Sequence, residues 1–182
     1  PPVSSYNYSV SGSLFNGMIN PLIPYNIKGV IWYQGENNAS RANQYETLFT
    51  SLIADWRDRW RKELSFYFVQ IAPYFNYYGT TSSLREAQRK TLKISKTGIV
   101  VTLDIGENYD IHPSNKHDVG YRLAGLALAN DYGQKNIASG PLYRDFEISG
   151  NKILVNFDFV GSGLIIRQNQ KSEFEIAGAD EQ

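Results

Sequence analysis

The chain has 182 residues, 42% of them hydrophobic, with 13 Tyr, 9 Phe and 3 Trp, and its 18 basic side chains balance 18 acidic ones. This is enough apolar material for one domain, or one domain with part of another. The dispersed Lys and Arg leave no basic stripe for nucleic acid, no apolar run approaches the roughly 18 residues of a membrane span, and the lack of cysteine removes disulfides, thiolate metal sites and cysteine nucleophiles.

Residues 1–13, rich in Ser, Tyr, Asn and Gly, read as an irregular lead-in. A short helix fits within Leu14–Ile23, stopped ahead of Pro21 and Pro24. Lys28–Tyr33 is a continuous β-branched and aromatic run, the pattern of a strand covered on both faces as in a parallel sheet. It ends abruptly in Gln34-Gly35-Glu36-Asn37-Asn38. Two readings of that block stand. It is a site edge at the carboxyl end of a strand, or a polar turn in which Gly35 permits a bend and Asn37 or Asn38 caps the next helix.

Tyr45, Leu48, Phe49, Leu52, Ile53, Trp56 and Trp60 recur at steps of three and four and predict a helix from about Arg41 to Lys62. Ser65–Ala72 is a second buried strand, ended by Pro73, and an aromatic loop over 73–83 follows. Its tyrosines either line a sugar cleft or pack over the sheet edge. Ser82 or Ser83 is placed to cap a helix running through LREAQRKTLKIS, with Leu84, Ala87 and Leu92 inward. Gly98–Leu103 is the third strand, and Asn115–Tyr132 the helix after it, stopped by Gly133. Strand and helix alternating in this way predict an α/β fold with a parallel sheet and flanking helices. From Gly140 the pattern changes to short strand-like segments, Tyr143–Ser149, Lys152–Val160, Gly163–Gln168 and Ser172–Ile176, expected to be antiparallel.

Both histidines, His112 and His117, lie in or just beyond the loop that follows the third strand. His112 stands two residues after Asp110, and a carboxylate beside an imidazole fixes its tautomer and supports general-base catalysis. His117 falls in the first turn of a helix and is expected to be exposed. A metal cluster of Asp110, His112 and His117 with Asp104 or Glu107 matches no compact zinc spacing. There is no Gly-x-Ser-x-Gly elbow, and Ser4, Ser5, Ser9, Ser11 and Ser13 follow no strand, so the residues supply a base and a polar strand end without an attacking group.

Several stretches resemble one family. LFNGMINPLIPYNIKGVIWYQGENNA, YETLFTSLIADWRDRW, FYFVQIAPY, LREAQ, DIGENYDIHPSNKHDVGYRLAGLAL, SGPLYRDFEISGNKILVNF and FEIAG, in this order, resemble the sialate O-acetylesterases, carbohydrate esterases of the SGNH hydrolase superfamily. The resemblance implies a flavodoxin-like α/β/α fold that removes O-acetyl groups from sugars with a serine, a histidine and an oxyanion hole, and without a cofactor or metal. It places His112 at the catalytic base. Asp110 is the candidate acidic member, although the superfamily's usual spacing of three falls on Tyr109. Gln34, Gly35, Glu36 and Asn38 occupy the oxyanion and substrate block, with Arg85 and Gln88 of LREAQ close by.

The family's nucleophile lies in a Gly-x-Ser-Asn block that this chain does not contain. The expectation is therefore residues 1–139 as the later part of an SGNH-type catalytic domain, with an incomplete sheet, and 140–182 as a β-rich accessory segment. The expected partners are an O-acetylated sugar or glycan and the absent N-terminal segment. Acetylated xylan is the alternative substrate, and a non-catalytic glycan-binding module the alternative function. The family's glycan substrates imply a secreted, periplasmic or lysosomal setting.

Overall fold

The structure, a computed structural model, describes residues 10–75 and 81–165. The chain divides into two compact units, the first ending at Ser139 and the second starting at Gly140. Tyr77, Tyr78 and the strand expected at Ser172–Ile176 lie outside the described residues, as do most of the lead-in and the last residues of Gly163–Gln168.

The first unit is built on three parallel strands in the order β1 (Gly29–Trp32), β2 (Ser65–Val69) and β3 (Thr97–Val100). Helix α1 (Ala42–Trp60) links β1 to β2, α2 (Thr81–Lys90) lies between β2 and β3, and α3 (Lys116–Asp131) follows β3. Right-handed crossovers that step the same way across a sheet put their helices on one face, and α1 and α2 indeed pack together. α3 packs on β2 and β3 from the other side.

Every residue of β2 is buried, and its period of two sorts the core. Phe66 and Phe68 point towards α1. The Phe68 ring lies 5.1 Å from Phe49 and Phe66 6.0 Å from Trp56, with Trp32 of β1 against both Phe49 and Trp56. Tyr67 and Val69 point the other way and join Val100 with Val119, Leu123 and Leu126 of α3.

Several expectations change here. β1 is covered on one face, not two: Val30 and Trp32 share the α1 side, whereas Ile31, on the side that α3 covers over β2 and β3, is 67% exposed. The helix expected in Leu14–Ile23 is a π-helical turn, Phe15–Ile19, followed by a 3-10 turn, Asn20–Leu22. Pro21 has no N–H to give to the carbonyl four residues back, so an ordinary α-helix cannot run through it. Ser82 and Ser83 lie inside α2 instead of capping it. Within α1, Tyr45, Phe49 and Ile53 are buried but Leu48 is 53% exposed. α3 starts as expected, with the Asn115 side chain accepting from the Asp118 amide at 3.1 Å.

In the second unit β4 (Leu142–Ser149) and β5 (Lys152–Asp158) form an antiparallel hairpin. Phe146 faces Val155 and Ile148 faces Ile153, so these apolar side chains share one face of the ribbon.

Candidate active site

Parallel strands end at one edge, and in open α/β sheets that carboxyl edge is where ligands bind. Three segments meet there in the first unit: the block after β1, the α2 segment beside the end of β2, and the loop after β3.

The block after β1 is anchored in the core. The Tyr45 hydroxyl, carried by α1, donates to the Gln34 carbonyl at 3.0 Å. Gly35 is buried at φ 148°, an angle that favours glycine, and a Cβ there would sit tightly, 3.0 Å from the Tyr45 oxygen. The Asn38 amide donates to the Gly35 carbonyl at 2.8 Å, opening a 3-10 turn over Glu36–Arg41 that precedes α1. The Gln34 side chain is left exposed, with Glu36 and Asn38 partly buried. Burial raises the Tyr45 phenol above its ordinary value, with Glu36 adding to the rise, which keeps it a neutral donor.

At the end of β2 the fully buried Gln88 clamps the backbone. Its Oε1 accepts from the Ile71 amide at 2.9 Å and its Nε2 donates to the Val69 carbonyl at 3.2 Å. One turn earlier on α2, the Arg85 carbonyl accepts from Gln70 Nε2 at 3.2 Å. Gln70 in turn donates its amide to Val100 and accepts from Thr102 Oγ1 at 2.7 Å, tying this segment to the exit of β3.

The loop after β3 carries His112, which is exposed. Carboxylates shape it. Glu107 accepts from both the amide and the hydroxyl of Ser114, each at 2.7 Å, and these bonds lower its pKa. Asp110 accepts from the His112 amide at 2.8 Å, an Asx turn that fixes the backbone of the histidine. Gly106 lets this loop press onto the end of β2, since a Cβ there would lie 2.4 Å from Pro73 Cδ. The Phe75 amide donates to Asn108 at 2.7 Å, and the Phe75 and Tyr109 rings, 5.8 Å apart, form an exposed aromatic pair. Arg122 holds Asp104 through two bonds and caps the Val101 carbonyl.

The first and third segments touch through Tyr33. Its ring packs against the α3-side core with Ile105, and Lys116 Nζ lies 5.5 Å from its centroid while also donating to the Pro113 carbonyl. His117 lies in the first turn of α3, exposed and 3.1 Å from Asp118. Among the described residues no cluster of three or more His, Asp or Glu side chains is arranged for a metal ion.

The structure thus brings Gln34–Asn38, Arg85, Gln88, Asp110 and His112 to one edge. The residues that hold them there are Tyr45, Thr102, Gly106 and Glu107, and the helical period that marks Tyr45 as a core residue says nothing of this role. Only the unbroken GEN segment after a strand hints at the last two.

Three parallel strands flanked by helices, with polar groups gathered at the carboxyl edge, make an open α/β fold, and it is like that of the SGNH-hydrolase carbohydrate esterases. The chain belongs to the carbohydrate esterase, sialic acid-specific acetylesterase family, whose sequence profile matches residues 5–132. It is 32% identical to the sialate O-acetylesterase of Rattus norvegicus over 90% of this chain and 34% of that protein. To the human sialate O-acetylesterase it is 29% identical, over 90% of this chain and 36% of that one. The crystal structure of a carbohydrate acetylesterase from Xanthomonas citri superposes with a TM-score of 0.82 at 39% identity, covering 93% of this chain and 41% of that one. The chain therefore spans about a third of the length of the curated relatives it matches.

Proposed function

We propose that this chain supplies the general base and the charge-stabilising edge of a carbohydrate O-acetylesterase acting on acetyl esters of sugars of the sialic acid type. The attacking serine comes from a segment outside these 182 residues. The observation that carries the reading is the position of His112, exposed on a braced loop at the same sheet edge as the amide-rich block after β1. Family membership supplies the substrate class.

The serine hydroxyl attacks the acetyl carbonyl carbon while His112 takes its proton. The carbonyl oxygen becomes an oxyanion, stabilised by backbone amides and by an amide N–H from Gln34 or Asn38. When the tetrahedral intermediate collapses, His112 returns the proton to the departing sugar oxygen. Water, deprotonated by His112, then attacks the acyl-serine, and as acetate departs His112 hands that proton to the serine oxygen. Asp110 positions His112 through its backbone. Gly35 and Glu36 shape the oxyanion block, and Gln88 and Arg85 set the α2 side of the cleft.

Acetate release from 9-O-acetylated sialic acid and from acetylated xylan, measured on a longer protein containing this chain, tests the reading. His112→Ala should lower kcat by roughly 10²- to 10⁴-fold, the usual worth of a general base. The 182 residues alone should stay near background. Enzyme-like turnover by this chain that survives His112→Ala would sink the proposal. A preference for acetylated xylan would shift the substrate and leave the chemistry.

A second reading rests on the exposed Phe75–Tyr109 pair, which offers a stacking platform for a sugar ring. Sugar binding that ignores the acetyl group, together with a longer protein inert towards both esters, would favour a glycan-binding module.

A further inference from the structure

Lys116 is the first residue of α3, a position that works against it. The amino end of a helix carries partial positive charge and favours acids, as Asp118 in the same turn illustrates. A side chain that breaks a local rule beside a candidate site calls for a compensating contact. No carboxylate supplies it, because Lys116 forms no ion pair among the described residues.

Two other contacts take the ammonium. It donates to the carbonyl of Pro113, the residue after His112. It also lies 5.5 Å from the centre of the Tyr33 ring, within reach of a cation–π contact. Tyr33 directly precedes Gln34, and its ring packs with Ile105 against the α3-side core. Glu107, whose pKa the amide and hydroxyl of Ser114 lower most, feels the same positive charge. One side chain therefore touches the neighbour of the base and the neighbour of the oxyanion block. The other braces act within one half: Tyr45 holds the block, while Glu107 and Asp110 hold the loop.

We infer that Lys116 is a positioning residue, which ties the His112 loop to the end of β1 and so sets the spacing between the base and the Gln34–Asn38 amides. Base and oxyanion donors act on one ester at the same moment. A small slip between the halves therefore costs rate even when each half stays intact. The catalytic consequence rests on the esterase reading above, whereas the tie itself is a property of this chain.

Amide exchange in the 182-residue chain reads the tie. Lys116→Met keeps an unbranched side chain and removes the charge. Exchange at the His112 amide, which is bonded to Asp110, should quicken about two- to fivefold, the worth of an exposed cation–π contact. Tyr33→Leu removes the ring from the opposite half and should do the same, whereas Tyr33→Phe, which keeps a ring, should not. The Ile71 amide, bonded to Gln88, should be unmoved in all three. Lys116→Met combined with Tyr33→Leu should be no faster than Lys116→Met alone, since both remove one contact. A His112 amide unmoved by Lys116→Met or by Tyr33→Leu, or effects of the two that multiply, would overturn the inference.

Acetate release by a longer protein containing this chain supplies the catalytic arm. Lys116→Met should lower kcat about tenfold to a hundredfold, with KM within about twofold and the unfolding midpoint little changed. A kcat within about twofold of the wild type, or a loss confined to KM, would also overturn it. If the longer protein releases no acetate at all, the esterase reading falls and the exchange experiment still decides the tie.

Discussion

The two halves of the candidate site are held by different chemistry. The Gln34–Asn38 block and its neighbour Gln88 are fixed by neutral groups in the core: the Tyr45 hydroxyl, a buried glycine and a buried amide. The His112 loop is fixed by exposed carboxylates, Glu107 on Ser114 and Asp110 on the histidine amide. A half held by neutral buried contacts is rigid and little affected by pH, because the groups that make those contacts are amides and a phenol whose pKa burial raises. A half made of surface carboxylates adjusts easily and answers to acid. For a hydrolase this division is sensible. Oxyanion donors work by being preorganised, whereas the base must exchange protons with substrate and water.

The sharpest way to break this comparison is to remove the neutral clamp. Gln88→Leu keeps the bulk but leaves the Ile71 amide and Val69 carbonyl unpaired in a buried setting. Each such group costs about 1–3 kcal/mol, so urea unfolding should show a loss of roughly 3 kcal/mol. A loss below about 1 kcal/mol, within the range of an ordinary surface change, would mean that Gln88 does not hold the edge. Gly35→Ala comes next. It forces a Cβ residue to φ 148° with the new carbon against the Tyr45 hydroxyl, and backbone strain of this kind costs about 1–3 kcal/mol. Unfolding of the variant should show that loss, and exchange of the Asn38 amide should quicken. An unchanged Asn38 amide would show that the block is not set by the glycine.

The parts of this arrangement that were legible in the sequence are those that repeat. The three- and four-residue steps from Tyr45 to Trp60 announced α1, and the apolar run of β2 announced a central strand. That run did not tell which residue meets which helix, since alternation is invisible when every position is apolar. Only the fold sends Phe66 to α1 and Tyr67 to α3. The same blindness makes β1 look covered on both faces, when α3 packs on β2 and β3 and leaves Ile31 exposed. His112 and the Gln34–Asn38 block stand out in the sequence as candidates, first by residue type at the ends of strands and then by resemblance to a family motif. Their supports are not visible there, because Gln34 lies in a loop and Tyr45 in α1, and Glu107 and Ser114 share an irregular loop, so no single element's period links either pair. The contact of Lys116 with Tyr33 is likewise a property of the packing around it, and PSNKHD as a string conceals it.

The charged half gives a smaller effect that depends on pH. Bonds from Ser114 lower the Glu107 pKa below its ordinary 4.5. A carboxylate with a depressed folded-state pKa stabilises its loop above the unfolded value and loses that contribution as pH falls through the folded one. Protection of the Ser114 amide against hydrogen exchange, relative to its intrinsic rate, should therefore hold at neutral pH and decline below about pH 4.5, near the ordinary carboxylate value. Protection of the Ile71 amide, bonded to the neutral Gln88, should stay level over the same interval. Glu107→Gln should flatten the Ser114 profile. A Ser114 profile that matches Ile71 in the wild type would erase the distinction between the halves.

The mildest change tests the uncovered face of β1. Ile31 pairs in register with the buried Tyr67 yet is 67% exposed, so the two positions differ in cover and not in strand geometry. Ile31→Lys in this chain should alter stability by no more than about 0.5 kcal/mol, as expected of a surface position. In a longer protein whose added segment lies over this face, the same lysine would be withdrawn from water without a partner, and the loss should rise to about 2 kcal/mol or more. Thermal unfolding of the two forms side by side reads this directly. Equal, small losses in both would mean that the added segment leaves β1 open. A large loss already in the 182-residue chain would mean that Ile31 is covered there.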